Sequence, residues 1–263
     1  MLRLLTIAGS DSGGGAGIQA DLKTFQALGA YGMSVITAVT AQNTQEVSGV
    51  WALPSEAVRA QLDLVLADLG VDAIKIGMLF NEDIITAVAD ALQEAPPVPV
   101  VLDPVMRAKG GHPLLEPSAE AALRELLLPR AHVVTPNLPE AAVLTGLALD
   151  SEESRIEAGH RLNSLGARWA LVKGGHGTGP LIHDHLVGPS ERTYAMQRVE
   201  TPHTHGTGCT LSSAIAVGLA RGLSVPDAVA LAEDYVAGAI QHAPGLGHGH
   251  GPLNHQWGMT PWR

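Results

Sequence analysis

Short apolar or β-branched runs alternate with longer stretches of helical spacing along most of the chain. LRLLTIA (2–8) predicts a strand, and GSDSGGGAG (9–17) a loop after it. In IQADLKTFQALGA (18–30), Ile18, Leu22, Phe25 and Leu28 fall on one helical face and Gly29 stands near the end. MSVITAVTAQ (33–42) reads as a buried strand, SGVWALP (48–54) as a short extended piece, and 55–70 as a helix. A strand over 72–79 leads to a helix over 81–95 capped by Asn81, and a strand over 98–104 ends in Asp-Pro. Residues 118–137 predict a helix and a strand, 151–167 a helix, and 168–175 a strand. A hairpin around GPSE spans 181–200, and helices cover about 207–221 and 226–242.

Strands alternating with helices predict βαβ units and an α/β fold, a mostly parallel sheet covered on both faces. Such folds bind ligands beyond the carboxyl ends of the strands, where the Gly-rich and Asp-Pro segments fall. No repeat or linker interrupts the pattern, which predicts a single domain over 1–263. Hydrophobic residues make up 46% and charged residues 16%, the balance of a packed chain. A net charge of −10 argues against nucleic acid as a partner. One cysteine excludes an internal disulfide, and MLRLLTIAGSD lacks the form of a signal peptide, so a cytoplasmic location is expected. No apolar run reaches the ~18 residues of a membrane span, so no membrane partner is expected. The chain has four lysines against twelve arginines, which makes each lysine conspicuous.

The run PHTHGTGCTLSS (202–213) concentrates the chemistry. Gly206, Thr207, Gly208 and Cys209 open an apolar helix, where glycines free the backbone and the helix start offers unpaired N–H groups. One reading is an anion site, most naturally for a phosphate, with the Cys209 thiol at a lowered pKa acting as base or nucleophile. The other is a glycine turn beginning a helix, with Cys209 as a small hydrophobe. Other nucleotide signatures fail: Ile18 stands where a dinucleotide loop after Gly13 and Gly15 needs glycine, and no Gly-Lys pair exists for a Walker A loop. A Ser nucleophile elbow is also missing.

GSDSGGGAGIQADLKTFQALGAYGMSVITAVTAQNT (9–44), DPVM (103–106), TPNLPEA (135–141), KGGH (173–176) and HGTGCTLSS (205–213) together resemble the hydroxymethylpyrimidine/phosphomethylpyrimidine kinases of thiamin biosynthesis. The resemblance runs over nearly the whole chain. It implies a three-layer αβα ribokinase-like fold and ATP-dependent phosphorylation of 4-amino-5-hydroxymethyl-2-methylpyrimidine, first to the monophosphate and then to the diphosphate. It further implies a homodimer, with ATP and Mg²⁺ as donor and metal. By resemblance, Gly206 to Cys209 cradle the transferring phosphoryl group, and Cys209 stands where most of the superfamily has a base. Asp21 and Gln42 meet the aminopyrimidine, Gly9 lets the ring approach the backbone, and Met78 adds an apolar contact. Asn137 and Lys173, with Thr207, serve ATP; Glu140 and Asp103 serve Mg²⁺; Lys109 meets the substrate phosphate in the second step.

Each residue also has a plainer reading. Asp21 is then a solvated helix acid, Gln42 a strand-end cap, Asn137 and Glu140 a capping box, and Lys109 and Lys173 exposed lysines. His248, His250 and His255 invite a metal, but their Gly and Pro neighbours supply no nearby carboxylate, which favours a structural ending. After DPVM the family carries an apolar residue and Lys-Ser-Gly, whereas this chain has Arg107-Ala108-Lys109-Gly110-Gly111. The added Arg107 either strengthens binding of the monophosphate or faces water. The alternatives are a pyridoxal/pyridoxine kinase of the same fold and, from another class, a non-catalytic pyrimidine-binding protein.

Overall fold

In the computed structural model the described residues are 1–175, 177 and 179–259; His176, which closes the KGGH motif, lies outside them. The strands are β1 (Arg3–Asp11), β2 (Tyr31–Gln42), β3 (Val47–Ala52), β4 (Ala73–Ile76), β5 (Val100–Leu102), β6 (Val133–Val134), β7 (Trp169–Val172), β8 (Leu181–Val187) and β9 (Glu191–Gln197). The helices are α1 (Gly17–Ala27), α2 (Ser55–Asp68), α3 (Glu82–Glu94), α4 (Glu120–Ala122), α5 (Leu138–Thr145), α6 (Glu152–Ser164), α7 (Thr207–Ala220) and α8 (Val225–Gln241). One sheet takes the order β3-β2-β1-β4-β5-β6-β7-β8-β9. Strands β2, β1, β4, β5, β6 and β7 run parallel; β3, β8 and β9 are antiparallel additions at the two edges.

The period of two in the central strands produces the layers. Leu5, Ile7, Ile74, Ile76, Leu102, Val134 and Val172 face one core shared with α2, α3, α5 and α6. Leu4, Ala73, Val101, Val133 and Leu171 face the other, shared with α1, α7 and α8. Helix α7 is buried from Thr210 to Leu219, which is why its sequence is apolar on all sides. The order reverses at β1, with β2 on one side and β4 on the other, and a crevice opens beyond the carboxyl ends there.

Several predicted strands are shorter in the fold, and two elements change more. Strand β1 continues through the expected loop to Asp11, because Ser10 and Asp11 pair with Val39 and Thr40 after a bulge at Gly9. The single helix expected inside 118–137 is a winding segment from Pro117 to Arg130, with only Glu120–Ala122 α-helical. Pro129, which has no N–H, stands in its last turn.

Candidate active site

The carboxyl ends of the parallel strands deliver the site residues: Gly9 and Asp11 from β1, Met78 after β4, Asp103 after β5, Asn137 after β6 and Lys173 after β7. Helix α7 starts among them. Gly206, at its N-cap, has φ +84° and offers no side chain to the first turn. A Cβ on Gly206 would lie 1.8 Å from the Gly15 carbonyl oxygen, so the position admits only glycine. Gly208 lies against Lys173 and Asp103: its Cβ would meet Lys173 Nζ at 3.2 Å and Asp103 Oδ2 at 3.6 Å. Thr207 Oγ1 donates to the Thr204 carbonyl at 2.8 Å, which fixes the loop before the helix. An uncapped helix start beside a lysine is an arrangement that would stabilise an anion.

Lys173 Nζ donates to Asp103 Oδ1 at 3.0 Å. Burial opposes its charge, but Asp103 and Glu140 outweigh burial and raise its pKa above the ordinary lysine value. Asn137 and Glu140 form the capping box of α5: Glu140 N–H donates to Asn137 Oδ1, and Asn137 N–H to Glu140 Oε2, both at 2.9 Å. Burial pushes the Glu140 carboxyl up to about 7, against the pull of Lys173 and with the push of Asp103. Asp103 and Glu140 are both buried. Two carboxylates around one lysine, next to an uncapped helix start, suit a divalent cation that takes few protein ligands and completes its shell with phosphates and water. The donor set therefore fits Mg²⁺.

Beneath Cys209 lies a pair that sequence reasoning assigned otherwise. Asp21 is fully buried, so it is not a solvated helix acid. Its oxygens accept from Lys75 Nζ (2.9 Å to each), Thr6 Oγ1 (2.6 Å) and Ser213 Oγ (2.7 Å). Four donors fill a carboxylate's acceptor sites, leaving none turned toward a ring, while burial pushes its pKa up against the pull of Lys75, Thr6 and Ser213. Lys75, also fully buried, was missed. Burial works against its charge, but Asp21 above all, then Cys209 and Asp103, holds its pKa above the ordinary value. The signal was a lone charge inside the apolar strand DAIKIGML, on one of only four lysines.

The expected lowering of the Cys209 pKa is overturned. Burial pushes the half-buried thiol up to about 11; Lys75 opposes this, and Asp21 and Asp103 add to it. The helix start and the Lys75 ammonium do not offset a closed site with two carboxylates.

At the ends of β1 and β4, Gly9 meets Met78 first: a Cβ there would lie 2.6 Å from Met78 Sδ. Met78 is buried with Ala38 and Leu114. Gln42, at the end of β2, lines a cleft of about 390 Å³ with Lys109, His112, His205 and His250. Loop walls and the Arg198 charge press the Lys109 ammonium below its ordinary value. Arg107 is exposed and donates to the Gly111 carbonyl at 3.1 Å, bracing its own loop.

Asp11 and His205, not singled out from the sequence, order this region. Asp11 accepts from the N–H groups of Gly13 (2.8 Å), Gly15 (3.0 Å) and Ala16 (2.8 Å) and lies 2.9 Å from His205 Nε2. Burial raises the carboxyl, but His205 and the backbone donors outweigh it and hold the pKa below the ordinary aspartate value. Beside that carboxylate, His205 Nε2 must carry its hydrogen. The Gln42 amide lies 3.1 Å from His205 Nε2 and 3.4 Å from Thr40 Oγ1, whose own hydrogen goes to the Ser10 carbonyl at 3.0 Å. Both neighbours require the same orientation: the amide oxygen toward His205 and the NH₂ toward Thr40, with one N–H left over. In the tail, His255 is buried and Thr210 Oγ1 lies 3.0 Å from its Nε2. The N–H groups of His248 and Gly249 bond Thr44 Oγ1 at 3.2 Å, so the tail straps the loop after β2.

Known proteins are similar to this chain in sequence and fold. The sequence model of the family described as phosphomethylpyrimidine kinase matches residues 11–254. The hydroxymethylpyrimidine/phosphomethylpyrimidine kinase of Streptomyces coelicolor is 52% identical, covering 97% of this chain and 95% of that protein. The crystal structure of phosphomethylpyrimidine kinase from Clostridium difficile superposes with a TM-score of 0.82 at 43% identity, covering 91% of this chain and 100% of that one. The ADP complex of Bacillus subtilis pyridoxal kinase superposes with a TM-score of 0.88 at 39% identity, covering 97% of each chain. Fold and full-length likeness agree, and the chain is a kinase that belongs to the phosphomethylpyrimidine kinase family.

Proposed function

We propose that this single-domain kinase transfers the γ-phosphoryl group of ATP to the hydroxymethyl group of 4-amino-5-hydroxymethyl-2-methylpyrimidine. It then phosphorylates the monophosphate, giving the diphosphate used in thiamin formation. The observation that carries the reading is the uncapped start of α7 with Lys173 and Asp103 at its first turn. Phosphoryl transfer asks for positioning and charge neutralisation, and this site supplies both. The N–H groups of Gly206 to Cys209 receive the negative charge of the transferring group. Lys173 and Asn137, with Thr207, hold the donor's phosphates. Asp103 and Glu140 are the residues that would hold Mg²⁺, and bound there the ion would neutralise phosphate charge.

Cys209 acts as a neutral thiol. With a pKa of about 11 it orients the acceptor hydroxyl without taking its proton in advance. Asp21 works from below, fixing Lys75 under Cys209. Gln42 turns its spare N–H to a ring nitrogen, which is an acceptor. Met78 and Gly9 shape the ring's apolar wall, and Lys109 meets the phosphate of the second acceptor. The enzyme works in the cytoplasm as a homodimer: Val39 and Trp51, cross-strand partners on β2 and β3, are 45% and 60% exposed and supply an apolar face for a second copy.

A coupled assay with Mg-ATP tests the reading, with hydroxymethylpyrimidine, its monophosphate and pyridoxal as acceptors. Turnover on the first two with weak pyridoxal activity is expected. Preference for pyridoxal would transfer the reading to a pyridoxal kinase, the activity named for the Bacillus subtilis structure. No turnover on any acceptor would favour a binding protein.

A further inference from the structure

At the end of β2 the backbone of Gln42 is held from both sides: its N–H donates to Ser12 Oγ at 2.9 Å, and Ser12 Oγ donates to its carbonyl at 2.8 Å. The backbone does not decide which end of the side-chain amide faces the cleft. The two ends are nearly the same size and differ only in donating or accepting. The choice falls to His205 and Thr40. Reversed, the amide would set donor against donor at His205 Nε2 and acceptor against acceptor at Thr40 Oγ1.

His205 can make that choice only if its own hydrogen is fixed, and Asp11 fixes it. The Asp11 carboxylate is placed independently of His205, by the N–H groups of Gly13, Gly15 and Ala16. The same loop holds the imidazole in place, since a Cβ on Gly15 would lie 2.5 Å from His205 Cδ2. Asp11 and His205 are both buried, so each is the other's main partner. The tail keeps His205 and Gln42 in register. Thr44, two residues beyond Gln42, accepts the His250 N–H at its carbonyl at 2.7 Å, and the Gly251 carbonyl accepts the His205 N–H at 3.1 Å. Adjacent tail residues thus tie the loop after Gln42 to the residue before Gly206.

We propose that His205, set by Asp11, is a positioning residue for acceptor recognition: it fixes the Gln42 amide so that an N–H, and not the carbonyl, faces the cleft. This rests on the reading of Gln42 as a contact of the acceptor ring. A ring that offers a nitrogen lone pair at that point is accepted. A ring that offers a hydrogen there is refused, because two donors would be buried together. His205 acts through Gln42, since its Nε2 hydrogen is already shared between Asp11 and the Gln42 oxygen.

The test is steady-state kinetics of the full-length enzyme with hydroxymethylpyrimidine and ATP varied in turn, on His205→Phe, Gln42→Ala and the double variant, alongside thermal melts. His205→Phe is expected to raise the KM for the pyrimidine about tenfold, with the KM for ATP within about twofold and kcat at saturation nearly kept. Gln42→Ala should match or exceed that loss. The double variant should be no worse than Gln42→Ala alone, because His205 then has nothing to orient. His205→Gln, whose amide nitrogen reaches the Nε2 position, should recover most of the loss. Should His205→Phe fail to fold, His205→Asn, which stops short of that position, replaces it in the cycle. Additive losses in the double variant, or a fall in kcat with both KM values rising together, overturn the proposal, since His205 would then only shape the loop before Gly206. If Gln42→Ala weakens the pyrimidine and His205→Phe does not, only the role of His205 fails. If Gln42→Ala leaves the KM for the pyrimidine unchanged, the placement of the ring on Gln42 fails with it.

Discussion

Two helices begin at the same end of the sheet, and their first turns are built in opposite ways. Helix α5 is closed: Asn137 caps Glu140, Glu140 caps Asn137, and Pro139 lies in the first turn. Helix α7 is open: a left-handed glycine stands at its N-cap, and no side chain reaches its donors. Elsewhere Asn81, Ser151 and Ser224 supply conventional caps to α3, α6 and α8. A Ser, Asn or Asp cap contributes about 1 kcal/mol to a helix. Helix α7 forgoes it and instead recovers stability from a nearly wholly buried body. The open turn leaves its backbone donors to a ligand, and the closed turn sets a carboxylate beside it. What distinguishes them is what the cap position holds: a side chain that satisfies the helix, or the absence of one.

The strongest way to break this contrast is Gly206→Ala. The new methyl would collide with the Gly15 carbonyl, and φ +84° suits no alanine. Turnover should fall by about a thousandfold or more, the scale of losing oxyanion-type donors. Retention of near-normal kcat would show that the open turn does not hold the transferring group.

Next in size is the support under the open turn. Lys75→Met leaves Asp21 buried among Thr6 and Ser213 without its cation, and breaking one side of a buried pair costs about 3–5 kcal/mol. Urea unfolding should show that loss. The double variant Lys75→Met/Asp21→Asn should recover part of it, because the uncompensated charge is gone.

The closed turn predicts a pH effect. Glu140 has a folded pKa of about 7 against 4.5 in the unfolded chain. Between these values the folded state binds the extra proton, so stability from this group is fullest below pH 4.5 and declines as pH rises to about 7. Every tenfold difference in proton affinity between the folded and unfolded chain is worth about 1.4 kcal/mol, which bounds the decline at about 3 kcal/mol. Unfolding measured at pH 5 and pH 7.5 should show Glu140→Gln flattening that slope. An identical slope in both proteins would place the Glu140 proton elsewhere.

The contrast itself was half legible in the sequence. Asn137 three residues before Glu140 announces a capping box, and Gly-Thr-Gly-Cys before an apolar run announces an uncapped helix. Strand alternation gave the layers, since Leu4 and Leu5, or Val133 and Val134, face opposite cores by period alone. What the sequence did not show depends on depth and on distant partners. Asp21 looks like a first-turn acid until Lys75, 54 residues away, is seen beneath it. The reach of β1 to Asp11 depends on β2 pairing across a bulge. Asp11 and His205 are 194 residues apart, so no local spacing connects them.

Cys209 shows most sharply why depth matters. A helix start and a nearby lysine both favour a thiolate, and read locally they lower the pKa. Burial and two carboxylates act in the other direction and dominate, so the pKa is about 11. At pH 8 the thiolate fraction is then about a thousandth. Iodoacetamide should therefore modify Cys209 slowly at neutral pH, with a rate climbing about tenfold per pH unit up to about 11. Rapid labelling with a midpoint below pH 8 would restore the base reading. The kinetic counterpart is Cys209→Ala, expected to lose about a hundredfold in kcat because the acceptor hydroxyl is no longer oriented. A neutral thiol gives the parent enzyme no acid-side inflection of its own, so any inflection near pH 7 should survive Cys209→Ala and vanish in Glu140→Gln. The reverse pattern would assign the titrating group to the open turn and not to the closed one.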